Sequence, residues 1–452
     1  MSATQSETDG NIARRMLPCR RPLVVALPLL IASVVCLRAQ SLSLDRQRGE
    51  MMLDTMLKDL RDHYYDPALH GVDVESRIAA AKQRIRAAGS TAEVLSIVAQ
   101  VPVDLADSHT RFLPPARSID VDYGWSSMFV GDAYLVRSVD PHSDAAKQGL
   151  HAGDQVLQIG QFTPTRRNEP LLWYLLTALK PQPMLRLVVQ PPGASARTVD
   201  LASKITQTRG QIDTRNENDV DASRRDYERR SKSERRHELV SLSNDVQVWR
   251  MPYFDLDASD VDRQFDKVGR TGTLILDLRG NVGGSEETML RVLGNLFDKD
   301  VVVGELREKA HSRSLVAKTR GHGRTFSGKL FVLVDSDSAS ASEVVARAIQ
   351  LEQRGTVAGD RSAGAVMRAA IFQHQLGVEV SIYWAMEVTT ADLVHPDGKS
   401  LEHVGVVPDI LVLPSQEDLA QDRDPVLAQV ASSLGIAIDA SKAAALFAHR
   451  ND

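Results

Sequence analysis

A short run around residue 340 constrains the fold more than any other part of this chain. An apolar β-type run, Phe331 to Val334, ends in small hydroxyl residues, and a helical pattern follows at once with Val344, Val345, Ala348 and Ile349 on one face. A strand that leads directly into a helix is typical of an α/β fold. A serine at such a turn is held out from the sheet over the positive end of the helix, which suits a nucleophile. Ser340 is therefore a candidate nucleophile, although the run alone favours a helix cap in which Ser340 pairs with Glu343 in a Ser-x-x-Glu capping box.

A second strand-to-helix junction lies upstream, and it favours the interpretation of Ser340 as a nucleophile over that of a helix cap. The apolar strand Thr273 to Leu278 runs into Arg279-Gly-Asn-Val-Gly-Gly284, and a helical pattern follows with Met289, Leu290, Leu293, Leu296 and Phe297. Glycines at such a junction let the backbone turn sharply and present N–H groups, which could hold an oxyanion. A dinucleotide-binding loop is the rival interpretation, but the required Gly-x-Gly-x-x-Gly spacing is missing. The chain thus offers a nucleophile and an oxyanion loop on successive turns.

Three runs in this order resemble the signature runs of the C-terminal-processing and tricorn-type serine peptidases. They are Asp277-Leu-Arg-Gly-Asn-Val-Gly-Gly284, Ser338-Ala-Ser-Ala-Ser-Glu343 and Gly405-Val-Val-Pro-Asp409. The resemblance covers most of residues 45–415. It implies a crotonase/ClpP-like α/β catalytic core, cleavage of peptide bonds through an acyl-enzyme, and Ser340 as the nucleophile.

The family has a Ser-Lys branch and a histidine-using, tricorn-like branch, and this chain resembles the second. Ala365 stands where the Ser-Lys branch carries its lysine, and no lysine occurs between Lys329 and Lys399. Since serine is a poor nucleophile at neutral pH, another base must take its proton. By resemblance, His109 of Asp107-Ser-His-Thr110 is the general base and Ser108 assists it.

The remaining catalytic roles also follow from the resemblance. Glu402 would orient the imidazole and stabilise it when charged. The backbone N–H groups of Gly283 or Gly284 and of Ala341 would form the oxyanion hole. Asp107 is an alternative orienting group, because it lies two residues from His109 and on the same side of an extended segment.

No metal or other cofactor is expected. Asp335 and Asp337 could suggest a metal, but carboxylates beside turn serines are more often turn formers. No His/Cys/Asp cluster has convincing metal-ligand spacing.

Residues 118–203 resemble a PDZ domain, most clearly at Leu135 to Ile159. Such a domain binds a peptide as an added strand at a sheet edge. Tyr123-Gly124-Trp125 is the expected equivalent of the carboxylate-binding loop, although it lacks the usual Gly-apolar-Gly-apolar pattern.

The N-terminus, residues 1–39, has the layout of a secretory signal peptide. Four arginines precede the uncharged run Pro22 to Leu37, and a small-residue region at Arg38-Ala-Gln-Ser follows. We therefore expect an exported protein, periplasmic or extracellular, with an uncleaved membrane anchor as the alternative. Both cysteines, Cys19 and Cys36, fall in this segment, so the mature chain would hold no disulfide.

The other segments complete the predicted organisation of this 452-residue chain. Residues 40–117 carry helical patterns and the histidine motif, 204–245 form a charged linker or insertion, 246–415 form the catalytic domain, and 416–452 form a helical tail. The net charge of −5 gives no electrostatic argument for a nucleic-acid partner, so polypeptide is the expected partner, and an oligomer is possible.

Three functions compete at this point. The first is an exported serine endopeptidase whose PDZ-like domain engages the substrate. The second is a catalytically inactive, peptide-binding scaffold on the same fold, and the third is hydrolysis of another acyl compound. The pair Ser108-His109 favours the serine endopeptidase, because a protein that has lost its catalytic activity would not need to keep this pair.

Overall fold

The computed structural model describes residues 26–115, 119–207, 236–269, 271–321, 323–377 and 381–447. Most of the predicted signal peptide (1–25) and most of the predicted charged linker (208–235) lie outside the described residues. Within the described ranges, no helix combines the length and the apolar character needed to cross a bilayer.

The N-terminal part is a cluster of three helices. Helix α1 (Ala26–His63) is followed by a 3₁₀ turn (Leu69–Gly71), α2 (Val74–Ala87) and α3 (Thr91–Val103). The apolar positions that the sequence places on one face, among them Met56 and Ile85, are buried between the helices. Short strands β1 (Arg111–Leu113) and β2 (Ile119–Asp122) follow.

The next part of the chain is a five-stranded antiparallel sheet with two short helices. Its strands pair in chain order, so that β3 and β7 form its edges. The elements are β3 (Trp125–Val130), β4 (Ala133–Val139), α4 (Asp144–Lys147), β5 (Gln155–Ile159), α5 (Glu169–Trp173) with a π-helical extension (Tyr174–Leu179), β6 (Met184–Gln190) and β7 (Arg197–Ala202). Strand β8 (Lys204–Gln207) then pairs with β2.

A mostly parallel six-stranded sheet forms the centre of the C-terminal part. Its order is β18-β15-β14-β11-β10-β9, and only β9 runs antiparallel to its neighbour. A second sheet has the order β1-β17-β12-β13, with β16 also paired to β17. The elements are β9 (Glu238–Ser243), β10 (Val246–Arg250), α6 (Ala258–Val268), β11 (Thr273–Asp277), α7 (Glu286–Leu296), β12 (Val301–Glu308), β13 (Ser312–Ala317), β14 (Lys329–Val334), α8 (Ala341–Leu351), β15 (Thr356–Gly359), β16 (Met367–Leu376), β17 (Ile382–Val394) and β18 (Ile410–Leu411).

The central sheet is covered on both faces, which explains the continuous apolar character of its strands. Leu274 and Leu276 of β11 face the core shared with α6, α7 and α8, whereas Ile275 faces two C-terminal helices. Those two helices are α10 (Pro425–Ser433) and α11 (Ala440–Ala445), and the short helix α9 (Gln416–Ala420) precedes them.

The C-terminal helices are joined to the glycine-rich turn after β11 by a partly buried ion pair. The guanidinium of Arg279 donates to both oxygens of Asp424, at 2.8 and 2.7 Å, and to the carboxylate of Asp277 at the end of β11. Asp424 also caps α10, because its Oδ1 accepts the N–H of Leu427 (2.9 Å). The start of the tail is therefore fixed to the end of a central strand.

Truncation of a central-strand side chain should destabilise the protein strongly. Leu276→Ala removes a fully buried side chain, and we expect a loss of about 2–5 kcal/mol. Val302→Ala is the matched control, because this β12 side chain is 51% exposed and should cost less than about 0.5 kcal/mol. Urea unfolding followed by circular dichroism measures both, and equal midpoints would contradict the assigned core.

Candidate active site

The two predicted catalytic turns lie side by side because their strands are hydrogen-bonded neighbours. Strands β11 and β14 run parallel, with Asp277 opposite Leu333. Both therefore end at the same edge of the sheet, where open α/β sheets bind their ligands. Residues 279–284 lead into α7, and residues 335–340 lead into α8. The sequence prediction of two successive strand-to-helix turns is confirmed, and the structure adds that the two turns are neighbours in space.

Asn281 joins the two turns. Its side chain is fully buried and donates to the carbonyl of Met251 (2.7 Å), while its Oδ1 accepts the N–H of Gly283 (2.8 Å). Its backbone carbonyl accepts the N–H of Ala339 (3.0 Å) and the hydroxyl of Ser342 (2.8 Å). The sequence pattern did not single out Asn281 as a functional residue. Its position inside the glycine-rich run was the one signal that pointed to such a role.

Ser340 lies at the N-terminus of α8 in a rare backbone conformation. Its φ of 55° and ψ of −117° are costly for a non-glycine residue, by about 1–3 kcal/mol, and such strain is concentrated at functional sites. The Ser340–Glu343 capping box that the spacing predicts is present, with the N–H of Ser340 donating to the Glu343 carboxylate (3.1 Å). The capping box alone does not account for the rare backbone conformation of Ser340.

Glu343 holds the nucleophile turn from inside the protein. Its buried carboxylate accepts the backbone N–H of Ser340 (3.1 Å), Gly364 (2.8 Å) and Ala365 (2.9 Å) and the hydroxyl of Ser362 (2.6 Å). Burial raises the pKa of Glu343 to about 7, and these four hydrogen bonds act in the opposite direction. Its role is thus wider than the capping that its spacing predicts.

The histidine motif and Glu402 meet in a chain of hydrogen bonds. The Ser108 hydroxyl lies 2.7 Å from Nδ1 of His109 and 2.9 Å from Oε2 of Glu402. Glu402 also accepts the N–H of Ser108 (2.7 Å) and of Val366 (3.0 Å), which fixes its carboxylate. The structure thus brings these three residues together, with Ser108 lying between the carboxylate and the imidazole.

Asp107 has a different task from Glu402. Its carboxylate accepts the N–H of His109 (2.9 Å) and of Thr110 (2.6 Å) and the hydroxyls of Tyr64 (2.8 Å) and Thr389 (2.8 Å). These bonds tie the histidine turn to α1 and β17. Asp107 therefore positions the backbone of the turn. None of these four hydrogen bonds involves the imidazole ring of His109, so they do not support the alternative in which Asp107 orients that ring.

These groups open onto one large cavity of about 1860 Å³. Its lining residues include Ser108 and His109 of the histidine motif together with Gly284, Ser340 and Ala341 of the two strand-to-helix junctions. The cavity is large enough to admit an extended polypeptide segment.

The candidate backbone donors of the oxyanion hole, Gly283, Gly284 and Ala341, differ in whether their N–H groups are free to bind an oxyanion. A Cβ on Gly283, whose φ is 105°, would lie 2.7 Å from Cβ and 3.1 Å from Oγ of Ser340, so only glycine fits beside the nucleophile. The N–H of Gly283 is engaged with Asn281. Gly284 forms a parallel bridge with Phe254 in which its neighbours make the hydrogen bonds, so its own N–H points away from Phe254. This leaves Gly284 and Ala341 as the better-placed donors.

The predicted peptide-binding residues Tyr123, Gly124 and Trp125 lie outside the large cavity. Tyr123 is buried, and its hydroxyl donates to the carbonyl of Leu176 (3.2 Å). The N–H of Gly124 donates to Asp122 (2.8 Å), and the ring of Trp125 packs against that of Trp173. The structure thus places these three residues in and around the core of the five-stranded domain, and they do not line the large cavity.

The aspartates near Ser340 shape the turn. Asp335 accepts the N–H of Gly280 (2.9 Å), Asp337 (3.1 Å) and Ser338 (3.1 Å). Within the described ranges, no group of three His, Cys, Asp or Glu side chains could hold a metal ion.

Comparison with known proteins identifies the part of the chain that carries Ser340. Residues 245–412 match the sequence profile of Peptidase family S41. This segment is a peptidase S41 domain. The tail-specific protease of Haemophilus influenzae is 26% identical over 326 residues, which are 67% of this chain and 43% of that protein. The chloroplastic C-terminal processing peptidase of Tetradesmus obliquus is 31% identical over 153 residues, which are 33% of this chain and 31% of that protein.

The overall fold also has a solved counterpart. Mature CPAF aligns with a TM-score of 0.61 over 83% of this chain and 94% of its own, at 14% identity. The S41 domain and the regions before it thus share the fold of CPAF. This chain spans less than half the length of the tail-specific protease and of the carboxy-terminal-processing protease of Bartonella bacilliformis, with 43% and 37% of each covered.

Replacement of Gly283 by alanine should disable Ser340 in this S41 domain. The added Cβ would displace the nucleophile, and we expect the rate of labelling by a fluorophosphonate to fall by about 100-fold or more. Gly321→Ala is the matched control, since its φ is 104° and a Cβ there meets nothing within 4 Å. Similar losses in both variants would assign the effect to backbone strain, and not to contact with Ser340.

Proposed function

We propose that this chain is a serine endopeptidase that cleaves polypeptides through an acyl-enzyme on Ser340. The observation that carries the proposal is the hydrogen-bonded chain Glu402–Ser108–His109, which opens onto the same cavity as the strained Ser340. The peptidase S41 domain supports the same reaction class.

The hydrogen bonds assign the protons of the relay. An ionised Glu402 can only accept, so the single proton of the Ser108 hydroxyl is donated to it. Ser108 must then accept from Nδ1 of His109, which leaves Nε2 with its lone pair as the general base. The carboxylate stabilises the imidazolium through the intervening hydroxyl.

The reaction follows from these roles. Oγ of Ser340 attacks the scissile carbonyl while Nε2 of His109 takes the hydroxyl proton. The backbone N–H groups of Gly284 and Ala341 stabilise the resulting oxyanion. Collapse breaks the C–N bond, His109 gives the proton to the leaving amine, and water then hydrolyses the ester by the same route.

We propose that the substrate adds as a strand to β3. This strand is the outer one of the five-stranded sheet, and its Met128 and Phe129 line the cavity together with Leu171 and Tyr174 of the facing helix. Backbone hydrogen bonds at a sheet edge give affinity that depends little on the amino-acid sequence of the substrate. The N–H of Gly124, which is bonded to Asp122, argues against capture of a terminal carboxylate at Tyr123–Trp125.

Export of the protein remains a proposal from the sequence. The arginines and the apolar run of residues 1–39 support it. The division into a helical region (40–117), a PDZ-like domain (118–203) and a catalytic domain (246–415) is also a proposal. Three apolar clusters, one centred on each part, support it, and the cluster of the helical region also takes in Trp384 and Met386 of β17.

Labelling with a fluorophosphonate tests the proposed activity. We expect the wild type to be labelled, and Ser340→Ala and His109→Ala to lose labelling together with cleavage of an unfolded polypeptide. Loss in Ser340→Ala alone would move the base elsewhere. A folded wild type that binds peptides but neither labels nor cleaves would favour the peptide-binding scaffold.

Substitution of Ser108 separates the relay from substrate binding. Ser108→Ala breaks the only assigned link between Glu402 and the imidazole, and we expect kcat to fall by about 100-fold with little change in KM. Ser108→Thr keeps the hydroxyl and should recover most of the rate. Ser432→Ala, on the exposed face of α10, is the control and should leave kcat unchanged.

A further inference from the structure

His403 directly follows Glu402 and is held in an unusual backbone conformation at the edge of the catalytic cavity. Its φ is 61°, and its N–H donates to the carbonyl of Gly364 (2.7 Å). Its imidazole lines the cavity although nearly half of the side chain is exposed. The reaction derived above gives this residue no role.

The imidazole reaches across to the turn that carries the histidine motif. Nε2 of His403 lies 2.7 Å from the carbonyl oxygen of Ala106 and 3.6 Å from Oε1 of Glu402. Both oxygens can only accept, so Nε2 carries a proton and donates it to Ala106. The ring thus connects the loop of Glu402 to the loop of Ser108 and His109.

The turn that receives this bond needs support. Ala106 has a φ of 59°, which is uncommon for a residue with a Cβ and persists only where the surroundings fix it. Asp107 fixes the end of the turn from the α1 side, and His403 fixes its start from the Glu402 side. Ser108 and His109 lie between these two supports.

The same residue contacts the loop that holds the nucleophile. Gly364, which accepts the N–H of His403, directly precedes Ala365, whose carbonyl accepts the N–H of Ser340 (3.0 Å). A Cβ on Gly364 would lie 3.1 Å or less from backbone atoms of His403 and Val404, so the two loops are closely packed. His403 is therefore bonded to both halves of the catalytic apparatus.

We propose that His403 is a positioning residue for the relay: the hydrogen bond from its Nε2 to Ala106 holds the strained turn 106–109 at the distance at which Ser108 bridges Glu402 and His109. This role rests on the proposed peptidase function. His403 acts through the turn and does not touch the reacting atoms.

Two nearly isosteric substitutions test the hydrogen bond. His403→Gln keeps an N–H donor at similar reach and should stay within about twofold of the wild-type kcat. His403→Met keeps the length without the donor and should lower kcat and the labelling rate of Ser340 by about tenfold with KM unchanged. His142→Met, at an exposed turn, is the control for loss of a histidine.

A third variant covers the case in which His403→Met folds poorly. Asparagine tolerates a positive φ well, so His403→Asn should keep the thermal midpoint, while its side chain is too short to reach Ala106. In this folded variant we again expect kcat and the labelling rate of Ser340 to fall by about tenfold. A wild-type rate in His403→Asn, or equal rates in the glutamine and methionine variants, would overturn the proposal.

Coupling to Ser108 distinguishes positioning of the relay from a general structural role. In the Ser108→Ala background, His403→Met should add less than about a twofold loss, because the relay is already broken. A full, multiplicative loss would overturn the proposal. Absence of Ser340 labelling in the wild type would overturn the proposed function together with it, whereas normal labelling in all His403 variants would overturn the role of His403 alone.

Discussion

The parallel pairing of β11 with β14 is the constraint on which the site depends. Because the two strands end at the same edge of the sheet, the glycine-rich turn and the serine turn lie in contact although α7, β12 and β13 separate them along the chain. Asn281 then closes the gap between them with hydrogen bonds to both turns. The rare conformation of Ser340 is stable only because this framework and the carboxylate of Glu343 hold it from several directions.

The turn of His109, the proposed general base, reaches the same cavity by a separate route. The turn of His109 is bonded to α1 through Tyr64 and to β17 through Thr389, with Asp107 as the common acceptor. Glu402 lies in the loop after β17, so two distant segments of the chain supply the proposed relay. Such an arrangement places the nucleophile on a rigid sheet edge and places its base on loops that the N-terminal helices support.

The local features of the site follow from the sequence, whereas the features made by distant contacts do not. The apolar strands, the glycine-rich turn and the serine turn are patterns within a few residues of each other, and the structure confirms them. The meeting of Ser108, His109 and Glu402 was expected only through family resemblance, since no spacing rule joins residues so far apart. The engagement of the Gly283 N–H by Asn281 and the four donors around Glu343 depend on the folded backbone, so composition and periodicity carry no signal for them. The binding role of Tyr123 stays a prediction, and its burial was not foreseen because an aromatic residue next to a glycine can fill a core as well as flank a binding loop.

The ion pair between Arg279 and Asp424 sets the order in which the site can be completed. Arg279 begins the glycine-rich turn, yet its partner lies beyond Glu402, near the end of the described chain. During synthesis the serine turn and its strand leave the ribosome first, at a stage when neither the relay carboxylate nor the anchor of the turn has been made. Until residues 402 and 424 have been synthesised, Ser108 lacks its carboxylate partner and the glycine-rich turn lacks the second partner of Arg279.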